Sequence, residues 1–213
     1  CSGIELGARR RDFTGKIAAM QHLPTTPHPE LSTPLQQRFA AAQQHRLDHG
    51  CSAHPFGDGA ALYALVQAQQ PAQILELGTG VGYTAVLMAS ACPAAHIDTL
   101  EGNEDHIAEA QAAFTEAGLA SRITLHAGSF ADTLQPLPLD HYDLIFFDGH
   151  MPPLIVIEHF PKLLRTGGLL VCSNMRLRGT RGAPRVEAAL SQTEIWQRLP
   201  DIEGGNSWVL RRV

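Results

Sequence analysis

Neither a long apolar run nor a surplus of positive charge marks this chain. No stretch approaches the roughly 20 consecutive apolar residues of a membrane span, and no apolar signal-peptide core is visible, so the sequence predicts a protein free of the membrane. Lys and Arg number 16 against 21 Asp and Glu, a formal net charge of −5, which removes the basic surface that general nucleic-acid binding needs. A small molecule is the better expected partner. Cysteine is scarce as well. Cys1, Cys51, Cys92 and Cys172 form no Cys-x-x-Cys pair and no Cys/His cluster at zinc spacing, and they read as free thiols in a reducing, cytoplasmic compartment. There is no internal repeat, no low-complexity tract and no Tyr-x-x-x-Lys of the kind a short-chain dehydrogenase carries.

What remains is an ordinary globular composition, 44% hydrophobic and 17% charged over 213 residues, enough for one large α/β domain with a full core. The segment Cys1 to Ala19 lacks periodicity and precedes Met20; it reads as a leader left from expression or, alternatively, as a mature lipoprotein cysteine with its tail. Residues 21 to 33 carry Pro24, Pro27 and Pro29 and should run extended. Residues 1–33 are therefore taken as an N-terminal extension. Ser32 or Thr33 then caps a helix with Pro34 in its first turn and Gly50 past its end, and a second helix follows Asp58 and stops at Pro71. These two form an expected helical cap over 34–70.

From residue 71 the periodicity alternates between strand and helix. Strands are expected at 72–77, 95–100, 123–126, 142–147 and 168–172, helices at 82–91, 104–117 and from Pro152 to about Leu164, a short helix at 186–190, and two closing strands at 195–199 and 207–210 joined through Gly204-Gly205. The pattern predicts a Rossmann-like, doubly wound, mostly parallel seven-stranded sheet with helices on both faces. Ligands in such sheets bind beyond the carboxyl ends of the strands, near the switch point. Those ends hold Glu76 to Gly82, Glu101, Ser129, Asp148 and Ser173-Asn174.

The most informative stretch is Glu76-Leu77-Gly78-Thr79-Gly80-Val81-Gly82-Tyr83-Thr84. Alternate glycines let the backbone take positive φ and let a ligand approach the main chain, while Tyr83 stands where a dinucleotide fingerprint wants its third glycine. The run resembles motif I of class I S-adenosylmethionine-dependent methyltransferases. The pattern from about Gly57 to Leu210 is similar to the catechol and caffeoyl-CoA O-methyltransferase branch, including the terminal Gly-Gly-Asn-Ser-Trp.

That resemblance implies a 34–213 methyltransferase domain that binds S-adenosylmethionine through Glu76, Gly78, Thr79, Gly80, Gly82, Tyr83, Thr84, Glu101, Gly102, Gly128, Ser129, Phe130 and Asp148. Glu101, ending the second strand, can accept two hydrogen bonds from a ribose diol; alternatively it is an N-terminal charge on the next helix. Glu76 would sit near the methionine amino group, Thr84 near its carboxylate, and Ser129 and Phe130 at the adenine. Phe130 also reads as core and Thr84 as a simple cap. His54 falls where the branch closes over the cofactor with backbone groups.

The branch places a divalent cation on an acid at the position of Asp148 and on an Asp-Asn pair ending the fifth strand, with a lysine near Met151. Here the pair is Ser173-Asn174 and the lysine is absent, so Asp148 and Asn174 make at most a weak magnesium site and metal dependence is not expected. Asp148 and His150 become the candidate catalytic groups, His150 as replacement base; Asp148 also reads as a cap ahead of Pro152. Arg176, Arg178, Arg181 and Arg185 suit either an acidic acceptor or a solvated loop. A homodimer is implied by the resemblance alone. The expected activity is O-methylation of a small molecule; a non-catalytic cofactor-binding scaffold and a nicotinamide-dependent oxidoreductase are the rival readings.

Overall fold

The computed structural model describes residues 30–51, 54–149, 152–176 and 182–213. The expected leader at Cys1 to Ala19 and the proline-rich run at 21–29 lie outside the described residues. Helix α1 (Thr33–His49) starts after Ser32 with Pro34 in its first turn and ends at Gly50, which takes φ 60°, the left-handed geometry that closes helices. Helix α2 (Gly59–Gln69) is capped by Asp58, whose side chain accepts from the Ala61 N–H at 3.2 Å.

Seven strands follow: β1 (Gln73–Leu77), β2 (His96–Glu101), β3 (Ile123–Ala127), β4 (Tyr142–Phe147), β5 (Leu164–Cys172), β6 (Trp196–Arg198) and β7 (Trp208–Arg212). Their spatial order is β3-β2-β1-β4-β5-β7-β6. Pairs from β3 through β5 are parallel, and β7 runs antiparallel to both β5 and β6. The Rossmann-like sheet expected from the alternation is present. Between the strands lie α3 (Tyr83–Ala91), α4 (Glu104–Glu116), α5 (Phe130–Thr133), α6 (Leu154–Ile157), α7 (Phe160–Leu163) and α8 (Ala183–Leu190).

Side chains alternate across the sheet with the period of two that extended backbone imposes. Ile74, Ile97, Leu144, Phe146, Leu169, Val171 and Val209 face α1 to α4, while Leu75, Leu77, Leu100, Ile145, Phe147, Leu170 and Leu210 face α5 to α8. Burying both faces explains why the central strands read as continuous apolar runs. Among the described residues no helix is long and apolar enough to cross a membrane.

Two expected boundaries are corrected. The single helix from Pro152 to Leu164 is two separate turns, α6 and α7. Pro161 lacks an N–H and its ring conflicts with the carbonyl four residues back, so it can only sit at the start of the second turn. Strand β5 begins at Leu164 rather than Gly168, with a register shift opposite Tyr142 and Leu144. Gly167, at φ 82°, lies within that irregular stretch. Of the closing strands, β6 is one residue shorter at each end than expected, β7 starts one residue later and runs on to Arg212, and a 3₁₀ turn at Glu203–Gly205 stands before β7.

Candidate functional site

The order of the strands reverses between β1 and β4, and their carboxyl ends lie side by side: the Asp148 N–H donates to the Leu77 carbonyl at 3.0 Å. A cleft of about 750 Å3 opens beyond these ends, lined by Gly78, Thr79, Gly80, Val81, Tyr83, Thr84, Glu101, Phe130, Asp148, Gly149, Ser173, Asn174 and Glu203, and walled on the cap side by residues of α1 and the 50–57 connection. Its size suits a ligand larger than a metabolite fragment.

The glycine loop is built for close approach. Gly78 takes φ 99°, and a Cβ there would meet the Asp148 carbonyl oxygen at 2.8 Å. Any side chain would wedge β1 from β4. Gly82, at φ 87°, lies against α4, where a Cβ would meet the Phe114 ring at 2.9 Å. Gly82 therefore positions α3 rather than lining the cleft. Gly102 and Gly128 are likewise outside the lining; a Cβ on Gly102 would stand 3.3 Å from the Gly128 carbonyl, so they bring the turns after β2 and β3 together.

Glu101 ties three backbone groups. Its Oε2 accepts from the Gly80 N–H at 2.9 Å, and its Oε1 accepts from the N–H groups of Gly102 and Asn103, both at 2.9 Å. The carboxylate thus holds the glycine loop against the entry to α4, and it faces the cleft. The contacts to Gly102 and Asn103 are those of the helix-entry charge, and the place of the carboxylate in the cleft lining is where a ligand acceptor would stand.

Glu76 is fully buried beneath the loop and does not line the cleft. Its Oε2 accepts from the Thr99 hydroxyl at 2.5 Å and its Oε1 from the Thr84 hydroxyl. Burial pushes its carboxyl up to about 8, and the two threonine hydrogen bonds pull it back only in part. Thr84 is the group that reaches the cleft wall, so Glu76 stands one side chain behind it. Tyr83 turns its ring into the cap, 5.3 Å from that of Phe39, with its hydroxyl packed on Gly59. Ser129 caps α5, donating to Asp132 Oδ2 at 2.6 Å, and is exposed outside the lining; Phe130 beside it enters the cleft edge-on to Phe147, 6.2 Å between ring centres.

The acidic end of the cleft contains a group that the sequence reading missed. Glu203, from the turn before β7, accepts through Oε2 from Ser207 at 2.6 Å, Asn206 at 2.9 Å and Ser173 at 3.3 Å, while its N–H donates to Asp58 Oδ2 at 3.1 Å. Its only sequence signal was an acid beside Gly204-Gly205, which reads as a hairpin turn. Asp148 is half-buried nearby. Burial pushes its carboxyl up to about 7, the Glu203 negative charge adds to the rise, and a hydrogen bond with Ser173 offsets part of it. A carboxyl in that range exchanges protons at neutral pH.

The cation site implied by the resemblance does not fit these residues. Ser173 contributes a hydroxyl where a carboxylate is needed, Asn174 donates its amide N–H to the Gly149 carbonyl at 2.6 Å, and Glu203 Oε2 is already engaged by three donors. Magnesium and calcium require several unencumbered oxygens. His150, the expected base, lies outside the described residues, as do Met151, Arg178 and Arg181. Arg176 donates to the Gly204 carbonyl, and neither it nor the exposed Arg185 lines the cleft. His54 does line it.

Residues 75–175 match the model of a family described as a methyltransferase domain. A Mycobacterium sp. (strain KMS) protein, itself only provisionally assigned as an O-methyltransferase, is 32% identical over 159 residues, covering 73% of this chain and 72% of the relative. Catechol O-methyltransferase of Sus scrofa is 35% identical over 126 residues, 55% of this chain and 67% of that protein. The chain belongs to the class I methyltransferases of the catechol O-methyltransferase type. In solved structures the methyltransferase fold recurs in an O-methyltransferase of Bacillus cereus in complex with S-adenosylhomocysteine, with a TM-score of 0.73 and 22% identity over 92% of this chain and 97% of the other. At that identity the likeness speaks for the fold, and the glycine loop of motif I is the part of it that shapes the cleft.

Proposed function

We propose that the protein transfers a methyl group from S-adenosylmethionine to an oxygen of a small acceptor, with no magnesium or calcium ion holding the acceptor. The observation that carries this reading is the convergence of the Gly78-Thr79-Gly80 loop, Glu101 and Asp148 on one cleft at the β1/β4 switch. S-adenosylmethionine supplies a sulfonium methyl that is already activated, so the protein's tasks are alignment and deprotonation.

The residues divide those tasks. Gly78 and Gly80 offer a surface free of side chains on which the cofactor's backbone-facing groups can rest, Thr84 presents its side chain to the methionine end, Glu101 to the ribose and Phe130 an aromatic edge to the adenine. Asp148 and Glu203 form the acidic end. There Asp148 accepts the acceptor's proton: its raised carboxyl holds a proton weakly enough to release it and strongly enough to take one from a phenol as oxygen attacks. Glu203, fixed by Ser207 and Asn206, keeps that carboxyl high. Catechol-type and other phenolic acceptors fit this chemistry, and a cytoplasmic homodimer belongs to the same reading.

Calorimetry tests the cofactor assignment first. S-adenosylhomocysteine should bind one to one and NAD should not, and Glu101→Ala should weaken the former at least about tenfold, on the order of 1.4 kcal/mol. Equal affinity in wild type and variant would remove Glu101 from the site. Tight cofactor binding with no methyl transfer to any phenol would instead favour a cofactor-binding scaffold.

A further inference from the structure

We infer that His45, Cys51 and His106 form a binding site for a soft or borderline transition metal, zinc above all, at the cap-side wall of the cleft. Their ligand atoms all lie within 4.8 Å of one another. His45 is on the buried side of α1, His106 is on the first turns of α4, and Cys51 follows the left-handed turn at Gly50 that brings the chain back beside the helix it has just left. Both imidazoles are buried, at 7% and 9% side-chain exposure, while Cys51 is half-buried. His106 stands far along the chain from His45 and Cys51, which is why the sequence spacing alone gives no zinc signal.

Two independent features mark this cluster as built for a ligand. His45 Nε2 is buried and has no hydrogen-bond partner among the described residues, a state that native structures rarely leave unexplained. Its other ring nitrogen, Nδ1, lies 2.8 Å from Glu109 Oε1. With that carboxylate accepting the Nδ1 proton, Nε2 carries a lone pair, the carboxylate–histidine arrangement that orients metal ligands. The His45 ring meets that of His106 edge to face, 5.1 Å between centres, and stacks on that of His49, 4.4 Å between centres, contacts that leave the in-plane lone pair of Nε2 free to bind.

The donor set decides the ion. A thiol and two imidazoles select zinc and its neighbours and offer nothing to magnesium or calcium. Around a tetrahedral zinc the ligand atoms stand about 3.3–3.6 Å apart, as bonds of about 2.0–2.3 Å require. Closing from 4.8 Å calls for a movement of about 1 Å, which the half-buried Cys51 can make. Three protein ligands leave a fourth position open toward the cleft. Glu101, 3.8 Å from His106 Nδ1, and Glu109 balance the charge of the ion against the nearby Arg46. Bound there, the metal ties α1 and the turn after it to α4, beside the Glu101 carboxylate.

The test uses the whole chain, stripped with EDTA and desalted, then titrated with Co2+ as a spectroscopic stand-in and Zn2+ as competitor. One equivalent of Co2+ should produce a thiolate-to-cobalt charge-transfer band that Zn2+ abolishes, and Zn2+ but not Mg2+ should raise the melting temperature. Cys51→Ser, checked for folding by circular dichroism, should lose the band; Glu109→Gln, at an exposed position, should weaken binding about 10–100-fold. No band in wild type, or a band that survives Cys51→Ser, overturns the proposal. A cobalt spectrum without thiolate character also overturns it, since that would place the ion on the alternative His45, His49 and Glu109 group.

Discussion

In the proposed function Asp148 and Glu203 carry the chemistry of the cleft, and each residue's contribution is separable. If Asp148 is the base, the acid limb of the rate profile should rise through about pH 7, the value to which burial and Glu203 push it. Glu203→Gln keeps an acceptor for Ser207 and Asn206 but removes the charge, so that limb should move to lower pH; a limb that stays put would detach Glu203 from Asp148. Asp148→Asn should lower kcat about a hundredfold or more while leaving S-adenosylhomocysteine affinity within a few fold. Glu76 gives a prediction of a different kind. Its carboxyl is about 8 in the folded protein against 4.5 ordinarily, so its protonated form is the one that folding favours. The associated stability is complete below about pH 4.5 and is lost as pH rises through about 8. Urea unfolding of wild type and Glu76→Gln at a series of pH values between these limits should show the variant losing less stability toward the alkaline end. Asp148 could be picked out in the sequence because it ends an apolar strand. Glu203 could not, because its place beside Ser173 depends on a hairpin folding back across the sheet.

At the scale of elements, the loop between β1 and α3 separates two reasons for glycine. Gly80 takes φ 52° with open space around its missing Cβ, whereas Gly78 combines φ 99° with a contact of 2.8 Å to the Asp148 carbonyl. Gly80→Ala should therefore cost only the left-handed backbone penalty, about 1–2 kcal/mol. Gly78→Ala adds displacement of the β4 end and should cost more, about 3 kcal/mol, with a matching loss of cofactor affinity. Denaturant midpoints for the two variants decide this, and equal losses would mean that β1 and β4 can part freely at their ends. Most elements were legible because caps and breakers announced them: Pro34, Gly50 and Asp58 mark the cap helices where the structure has them. The stretch after β4 was not. Its apolar residues Ile155, Val156, Ile157 and Leu163 kept a helical look, while a single proline at 161 decided that the segment folds as two turns.

Across the whole molecule, a sheet buried on both faces positions five strand ends so that residues 70 or more apart in sequence share one cleft. That much follows from the alternation of strand and helix, because parallel pairing puts all those ends on one side. The sequence could also say where the metal chemistry departs from the catechol O-methyltransferase pattern, at Ser173. It could not say what replaces it, since the answer depends on side-chain partners: Ser173 and Asn174 are turned to Glu203 and the Gly149 carbonyl. The central claim is methyl transfer to oxygen with no magnesium ion on the acceptor, and it is tested most directly by following the labelled methyl of S-adenosylmethionine into a panel of catechols and acidic phenols, with EDTA or with Mg2+. Transfer that proceeds at similar rates in EDTA and in Mg2+, and that is lost in Asp148→Asn, is the predicted result. Transfer abolished by EDTA and restored by Mg2+ would contradict it.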